Sequence, residues 1–152
     1  MDIERIREIC LALPHTAETF NWGQVLVYWV GEREIGGKSF AMTNIDKAGD
    51  VVLSFRCGDE RFHELLEIDG IRPAPYSASS HWVALEHWDA LRPRQLEEEL
   101  ARAHAIIHEK LPKKVKAILA LPAKERAKLV RERKKQLAAE GKGKRVFGTG
   151  TR

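Results

Sequence analysis

Residues 25–56 decide the fold, and they read VLVYWVGEREIGGKSFAMTNIDKAGDVVLSFR. Three segments of this stretch, residues 25–30, 38–43 and 51–56, are rich in β-branched and aromatic side chains, which favour strands. The two connections between these segments are short and polar, and each contains glycine. Parallel neighbours would need a crossover of a dozen or more residues, so the three segments predict an antiparallel meander.

One helix is predicted before this meander in the sequence and a long helix after it. Asp2 is a suitable N-cap, and Pro14 ends a first helix near residue 13. A long helix begins at Pro93, has apolar residues every three or four positions, and ends before Pro112.

Smaller elements complete the predicted order. A strand is expected at 19–22, and Asp59 is expected to cap a short helix over 60–68. Residues 71–80 contain two prolines and predict a loop or an edge strand, and residues 81–88 predict a further strand. The fold class is therefore α+β, with an antiparallel sheet of about five strands covered on one face by the N- and C-terminal helices.

Charge is distributed unevenly along the 152 residues. Residues 1–111 contain 12 Lys+Arg and 19 Asp+Glu, a net charge of −7, whereas residues 112–152 contain 14 Lys+Arg and 3 Asp+Glu, a net charge of +11. This asymmetry predicts an α/β domain at 1–111 and a basic extension at 112–152. The extension is expected to be partly helical and, because of its glycines after Glu140, partly flexible.

Composition excludes a membrane-spanning or secreted protein. No apolar run approaches the roughly 18 residues of a membrane span, and the first residues are charged rather than signal-like. Cys10 and Cys57 form no CxxC pair, so neither a zinc framework nor a thioredoxin-type site is indicated. We expect a cytoplasmic protein without a cofactor.

Several segments resemble the MmcQ/YjbR family. They are the N-terminal helix ending in Leu-Pro at 13–14, GGKSFAMT at 36–43, VVLSFRC at 51–57 and PAPYSASSHWVAL at 73–85. The resemblance covers about residues 1–111. It implies a fold similar to that of the frataxin-like CyaY proteins, and a DNA-binding function attributed to a "double wing" of β-hairpins.

Two motifs suggest a phosphate or zinc site and are better explained otherwise. The loop that ends in Gly-Gly-Lys-Ser has Glu32 where a phosphate-binding loop has its first glycine, and it joins two strands, so it predicts a hairpin. His104 and His108 share one side of the long helix but lack the glutamate of an HExxH motif. We interpret them as residues that border the core.

Two further clusters indicate neither a metal nor a catalytic site. Asp2, Glu4 and Glu8 could form an iron-binding ridge, but the helix dipole also favours carboxylates near a helix N-terminus. The serines of the 71–80 segment precede His81 without a GxSxG elbow, so a polar loop is expected. We therefore predict no catalytic residue and no bound metal.

The aromatic residues of the predicted strands could pack inside or stack on bases. Trp22 and Trp82 are assigned to the core, and Trp29 and Trp88 remain open because neighbours on a strand point to opposite faces. Aromatics on an exposed sheet would offer stacking surfaces for nucleic-acid bases.

The candidate nucleic-acid contacts are cations at strand margins and in the extension. Arg61 and Arg72 lie in segments near the strand margins and are weaker candidates. The predicted site comprises Lys38, Arg56, Lys113, Lys114, Lys116, Arg131, Arg133, Lys134, Lys135, Lys142, Lys144 and Arg145. These residues predict a non-enzymatic, sequence-tolerant DNA-binding protein whose partner is duplex DNA and whose affinity comes from the tail.

Two other functions remain open. The chain could be a small-ligand or protein-interaction module with no nucleic-acid role, binding through the sheet face or through residues 73–81. An enzyme would require a shifted titratable group in a cleft. A monomer is favoured, and cations sharing one face of the molecule would support a duplex footprint.

Overall fold

A computed structural model of the chain describes residues 1–21, 24–45, 50–75 and 80–148, with side chains to residue 140. Its elements are helix α1 (Ile3–Ala12), strands β1 (Thr16–Asn21) and β2 (Val25–Val30), a 3₁₀ turn (Arg33–Ile35), strands β3 (Lys38–Asn44) and β4 (Leu53–Arg56), helix α2 (Gly58–Leu66), strands β5 (Ile71–Pro73) and β6 (Trp82–Leu85), and helices α3 (Pro93–Lys110), α4 (Lys113–Leu119) and α5 (Ala123–Gly148). None of the helices in the described ranges combines the length and apolarity needed to cross a membrane.

The strands form one antiparallel sheet in the order β1-β2-β3-β4-β6-β5. The sheet has six strands rather than about five, because β5 pairs with β6 as a short edge strand. Pro73 is compatible with an edge, where its missing N–H removes no ladder hydrogen bond. β1 begins at Thr16, earlier than predicted, because it pairs with β2 along its whole length.

Helices α1 and α3 cover one face of this sheet, which confirms the predicted α+β fold. Ile6 and Cys10 of α1 are fully buried there, as are Leu96 and Leu100 of α3. These positions recur every three or four residues, so each helix presents one apolar side to the strands. The largest fully buried strand side chains in this core are Tyr28, Phe40, Leu53, Phe55 and Leu85.

Helix α2 begins at Gly58, two residues before the predicted start, and Asp59 is not its cap. Cys57 occupies the N-cap position and its side chain makes no capping hydrogen bond. Asp59 Oδ1 lies 2.5 Å from Nδ1 of His81 instead. Gly58 has a φ of +80°, a left-handed conformation that glycine adopts readily, and this turns the chain from β4 directly into α2.

The described tryptophans are buried or partly buried. Trp82 is 6% exposed, which confirms its assignment to the core. Trp88 is partly buried against the main core, and Trp29 is partly buried and donates its Nε1–H to Thr19 Oγ1 over 2.8 Å. Trp22 lies outside the described residues.

Part of the basic extension packs into the core of residues 1–111, which we call the body. Val115, Leu119 and Val130 are buried in the same cluster as the sheet and α3. From residue 131 to residue 140, by contrast, every position of α5 is exposed. The helix continues to Gly148, past the expected end near Glu140, and an isolated glycine costs a helix only about 1 kcal/mol relative to alanine. The division of the chain into a domain at 1–111 and an extension at 112–152 stays a prediction.

His104 is buried where α3 meets the start of β1. Its Nε2 lies 2.7 Å from the carbonyl oxygen of Pro14, its ring meets Phe40 edge-on at 5.3 Å, and it stacks on His108 at 6.4 Å. Burial lowers the pKa of His104 below its ordinary value, and the nearby His108 and His15 act in the same direction. Its assignment to the border of the core is confirmed.

Mild acid is expected to destabilise the fold through His104. Because its pKa is lower in the folded chain, the unfolded chain binds the proton first as the pH falls below about 6.5, so the free energy of unfolding decreases. Urea unfolding between about pH 7 and pH 5.5 should show a smaller decrease for His104→Gln than for the wild type. The exposed His63→Gln is the control, and equal pH dependence in all three proteins would contradict the assignment.

Candidate nucleic-acid interface

The register of the sheet brings two predicted contacts together. Lys38 begins β3, and Arg56 ends β4. Because β3 and β4 are antiparallel neighbours, the start of one lies beside the end of the other. Lys38 and Arg56 are therefore at the same end of the sheet, and the β1–β2 and β3–β4 turns are at the opposite end. The tips of those turns, residues 22–23 and 46–49, lie outside the described part of the chain.

Helices α3 and α4 bring further cations to this end. A Cβ on Gly58 would stand 2.9 Å from Ile106 of α3, and a Cβ on Gly36 would stand 2.9 Å from Val115 of α4. Both helices therefore pack closely on the segments that flank Lys38 and Arg56. We call this region the cationic end, and it comprises Lys38, Arg56, Arg61, Arg102, Lys110, Lys113 and Lys114.

A cleft of about 410 Å³ opens at the cationic end, between the start of α2 and the C-terminal half of α3. Its cationic lining consists of Arg56, Arg61, Arg102 and Lys110, and Ile106 supplies an apolar wall. Positions 102, 106 and 110 follow each other at intervals of four residues, so they share one side of α3. The cleft thus combines charge from a strand end and from two helices.

Buried Glu99 organises two of these arginines. The residue is 3% exposed, and Oε1 accepts hydrogen bonds from Nε and Nη2 of Arg61 at 3.0 and 2.7 Å and from Nη1 of Arg102 at 2.7 Å. The hydrogen bonds to Glu99 raise the pKa of Arg61. Arg61 also contacts Glu64, whereas Arg102 keeps unused N–H groups because a guanidinium carries five donors.

The lysines of the cationic end are electrostatically available. Within the described ranges, Lys38, Lys110, Lys113 and Lys114 form no ion pair, whereas Arg72 lies 3.8 Å from Asp50. A lysine without a carboxylate partner keeps its full charge for an external anion. These residues are therefore better placed for phosphate contacts than the paired arginines of the body.

Carboxylates also occur at the cationic end. Asp59 and Glu60 line the cleft at exposed positions, and Glu32 and Glu34 lie in the β2–β3 connection. The exposed carboxylates are screened by water and salt, whereas half-buried Glu32 and Glu34 are screened less and lower the positive potential beside Lys38 more. The region is mixed in charge, with its unpaired cations concentrated on α3, α4 and the strand ends.

Cys57 lies at the wall of the cleft but is not an activated nucleophile. It is 2% exposed, and its Sγ lies 3.2 Å from the carbonyl oxygen of His81, to which the thiol donates. Burial raises the pKa of the thiol to about 11. At neutral pH the thiol therefore stays protonated, and thiolate chemistry is not available.

The cations of α5 extend the positive surface beyond the body. Arg131, Arg133, Lys134 and Lys135 are exposed, and Arg133 shares a shallow apolar groove with Lys114. Lys116 is only partly exposed on α4. The side chains of Lys142, Lys144 and Arg145 lie outside the described part of the chain.

The motifs set aside from sequence have structural roles. The loop that resembles a phosphate-binding loop connects β2 to β3, where Gly37 N–H donates to the carbonyl oxygen of Glu32. On α1, Asp2 accepts from the backbone N–H of Arg5 at 2.9 Å, and Glu8 lies 3.0 Å from the same arginine. No group of three or more possible metal ligands occurs among the residues that the structure describes.

Arg102, Lys110 and Glu99 were not among the predicted site residues. They belong to a long helix in the acidic part of the chain, so the net charge of that part hid them. The spacing of Arg102 and Lys110 on either side of Ile106 was the available signal, because it places both cations on one side of α3.

Comparisons with known proteins agree with this fold. The family model described as YjbR matches residues 11–106. The chain is also similar to the crystal structure of the Deinococcus radiodurans protein DR2400, which carries a domain described as DUF419, with 28% identity and a TM-score of 0.67 over 79% of this chain and 88% of that one. No curated protein matches the sequence. The family match spans more than half of the chain and includes all six strands, α2 and most of α3, so this protein belongs to the YjbR family.

Proposed function

We propose that this protein is a non-enzymatic, cytoplasmic DNA-binding protein that contacts the phosphates of duplex DNA and tolerates different sequences. The observation that carries the proposal is the meeting, at one end of the sheet, of lysines from β3, α3 and α4 that form no ion pair with the described residues. Arg131, Arg133, Lys134 and Lys135 on α5 would supply most of the affinity, with Lys142, Lys144 and Arg145 beyond them.

The chemistry of these residues favours backbone contacts over base contacts. Lysine is a flexible point charge that binds phosphate oxygens without fixed geometry, and such contacts carry no direct sequence information. Each phosphate that is neutralised releases condensed counterions, which supplies affinity that falls steeply with salt. The raised pKa of the buried Cys57 thiol is consistent with a protein that performs no covalent catalysis.

Duplex binding is expected to depend strongly on salt and weakly on sequence. Eight phosphate contacts would give a slope of log K against log salt of about −7. Fluorescence anisotropy with two unrelated duplexes, titrated at several salt concentrations, measures both properties. Absence of binding in dilute buffer, or a slope near zero, would exclude the proposal.

A matched pair of variants tests the position of the interface on the body. Lys113→Gln with Lys114→Gln removes two unpaired charges from the cationic end, and loss of two contacts lowers affinity about 60-fold at roughly 0.1 M salt. Arg72→Gln with Arg94→Gln removes the same charge from ion pairs elsewhere, and a change within about threefold is expected because charges farther than a Debye length of about 10 Å are screened. Equal losses in the two variants would contradict this placement.

A small-ligand module is the second candidate, and the cleft at the cationic end is the observation that favours it. A volume of about 410 Å³ falls within the range of small-molecule sites. Residues 76–79, which belong to the segment considered for this role from sequence, lie outside the described part of the chain.

A further inference from the structure

We propose that the cleft between α2 and α3 binds a nucleotide-sized phosphomonoester, either a free mononucleotide or the terminal phosphate of a nucleic-acid strand. Only the second of these sources rests on the proposed DNA-binding function. Binding of a free nucleotide would stand without it.

The dimensions and lining of the cleft fit such a ligand. About 410 Å³ exceeds what a lone phosphate group fills and leaves room for a sugar and base beside it. Arg56, Arg61, Arg102 and Lys110 offer cationic donors, and Ile106 provides an apolar surface for the rest of the ligand. Arginine in particular suits phosphate, because its planar fork can donate two parallel hydrogen bonds.

One lining residue, Arg56, also carries a buried donor without an acceptor. Nε of Arg56 is inaccessible to solvent and has no hydrogen-bond partner among the described residues. An unsatisfied buried donor is unfavourable, and most such groups in proteins are paired with protein, water or ligand. An anionic ligand in the cleft would favour a rotamer of Arg56 that turns this N–H toward it.

Glu99 fixes the positions of two arginines of the cleft and offsets part of their charge. It holds Arg61 and Arg102 through a single oxygen, at 2.7 Å from each, so the two guanidinium groups are fixed close together before any ligand binds. Arg61 is largely satisfied by carboxylates, whereas Arg102 retains free donors and Lys110 has no ion-pair partner in the described ranges.

Opposing charges lie at the rim of the cleft and beneath it, where the buried Oε2 of Glu99 has no hydrogen-bond partner among the described residues. Asp59 and Glu60 are both exposed, and Asp59 already contacts His81 at 2.5 Å. Solvent screens both carboxylates more than the buried part of the cleft, so their repulsion of a bound phosphate is reduced. When the cations and carboxylates of the cleft are compared, Arg56, Arg102 and Lys110 remain as the groups that attract the ligand.

Calorimetric titration of the full chain with AMP and with adenosine tests the proposal. AMP is expected to bind with a dissociation constant of roughly 1 mM or tighter, and adenosine at least about 10-fold more weakly, because charge-assisted hydrogen bonds to the phosphate are lost. Arg102→Gln with Lys110→Gln should weaken AMP binding by at least about 10-fold. Arg94→Gln with Lys128→Gln removes the same charge from exposed positions outside the cleft and should leave AMP binding within about twofold.

Duplexes with and without a 5′-phosphate distinguish the two sources of the ligand. Tighter binding of the phosphorylated duplex, lost in the Arg102/Lys110 variant, assigns the cleft to strand ends. AMP binding without such a preference assigns it to free nucleotides.

Absence of AMP binding together with no end preference overturns the proposal even if duplex DNA binds. Failure of duplex binding with AMP binding retained would refute only the DNA-binding function. Equal competition by citrate against AMP would overturn the assignment to phosphate.

Discussion

Replacing Gly37 with alanine is expected to lower the free energy of unfolding by about 4 kcal/mol, a loss at the upper end for single substitutions. A Cβ at this position would stand 1.8 Å from the carbonyl oxygen of Gly31 and 2.7 Å from that of Val30. Both obstacles are backbone atoms, so no side-chain rotation relieves the clash. Gly31 is also held by a 2.7 Å hydrogen bond from its N–H to the carbonyl oxygen of His15, which prevents it from moving aside cheaply.

The damage should spread from the β2–β3 connection to the extension. Leu119 packs on Gly31, and Val115 packs on Gly36, so a displaced hairpin loses the contacts that seat α4 on the body. Chemical denaturation of the purified variant measures the loss. Arg33→Ala, an exposed change in the same connection, is the control and should cost less than about 0.5 kcal/mol. A Gly37→Ala protein as stable as the control would show that the backbone at Gly37 does not approach the backbone of Val30 and Gly31 so closely.

Neutralising the exposed cations of α5 is expected to cause the largest loss of DNA affinity. Glutamine in place of Arg131, Arg133, Lys134 and Lys135 removes four charges, and the slope of log K against log salt should decrease in magnitude by about 3.6. At roughly 0.1 M salt this corresponds to a loss of about 4,000-fold. Glutamine has nearly the helix propensity of lysine and arginine, and every position from 131 to 140 is exposed, so the helix and the core should be unaffected.

A charge-retaining variant separates charge from side-chain identity. Exchanging lysine and arginine at the same four positions keeps the net charge and should leave affinity within about threefold. Anisotropy titrations of the three proteins with one duplex give the comparison directly. If the glutamine variant binds as tightly as the wild type, α5 is not the source of affinity. Substitution is preferable to deletion of residues 112–152, because that deletion would also remove buried Val115, Leu119 and Val130.

The local elements of the fold were accessible from the sequence because they depend on neighbouring residues. The apolar spacing of α1 and α3 and the strand-forming run at 25–30 led to the correct element types, and Asp2 caps α1 as expected. The predicted first and last residues of the elements agreed less well with the structure. The start of α2 was missed because the left-handed conformation of Gly58 allows a helix to follow β4 without an intervening loop.

The cationic residues of the candidate site were accessible only in part. Lys38 and Arg56 were selected from their positions at strand margins, and the structure places both at one end of the sheet. Lys110 and Arg102 were missed because they lie in an acidic part of the chain. Whether a cation is free or paired could not be predicted either, since the partner of Arg61 is Glu99, which is 38 residues away in sequence.

By itself the sequence determined an antiparallel meander flanked by helices and a basic extension, since hydrophobic periodicity, turn residues and charge counts are local properties. Only the tertiary structure decided that β5 joins the sheet, that the first part of the extension packs into the core, and that Arg56, Arg61, Arg102 and Lys110 surround one cleft. The physical reason is that these contacts join residues far apart in the chain. They form through strand register and helix packing, which depend on the shapes of many side chains together and not on any short segment.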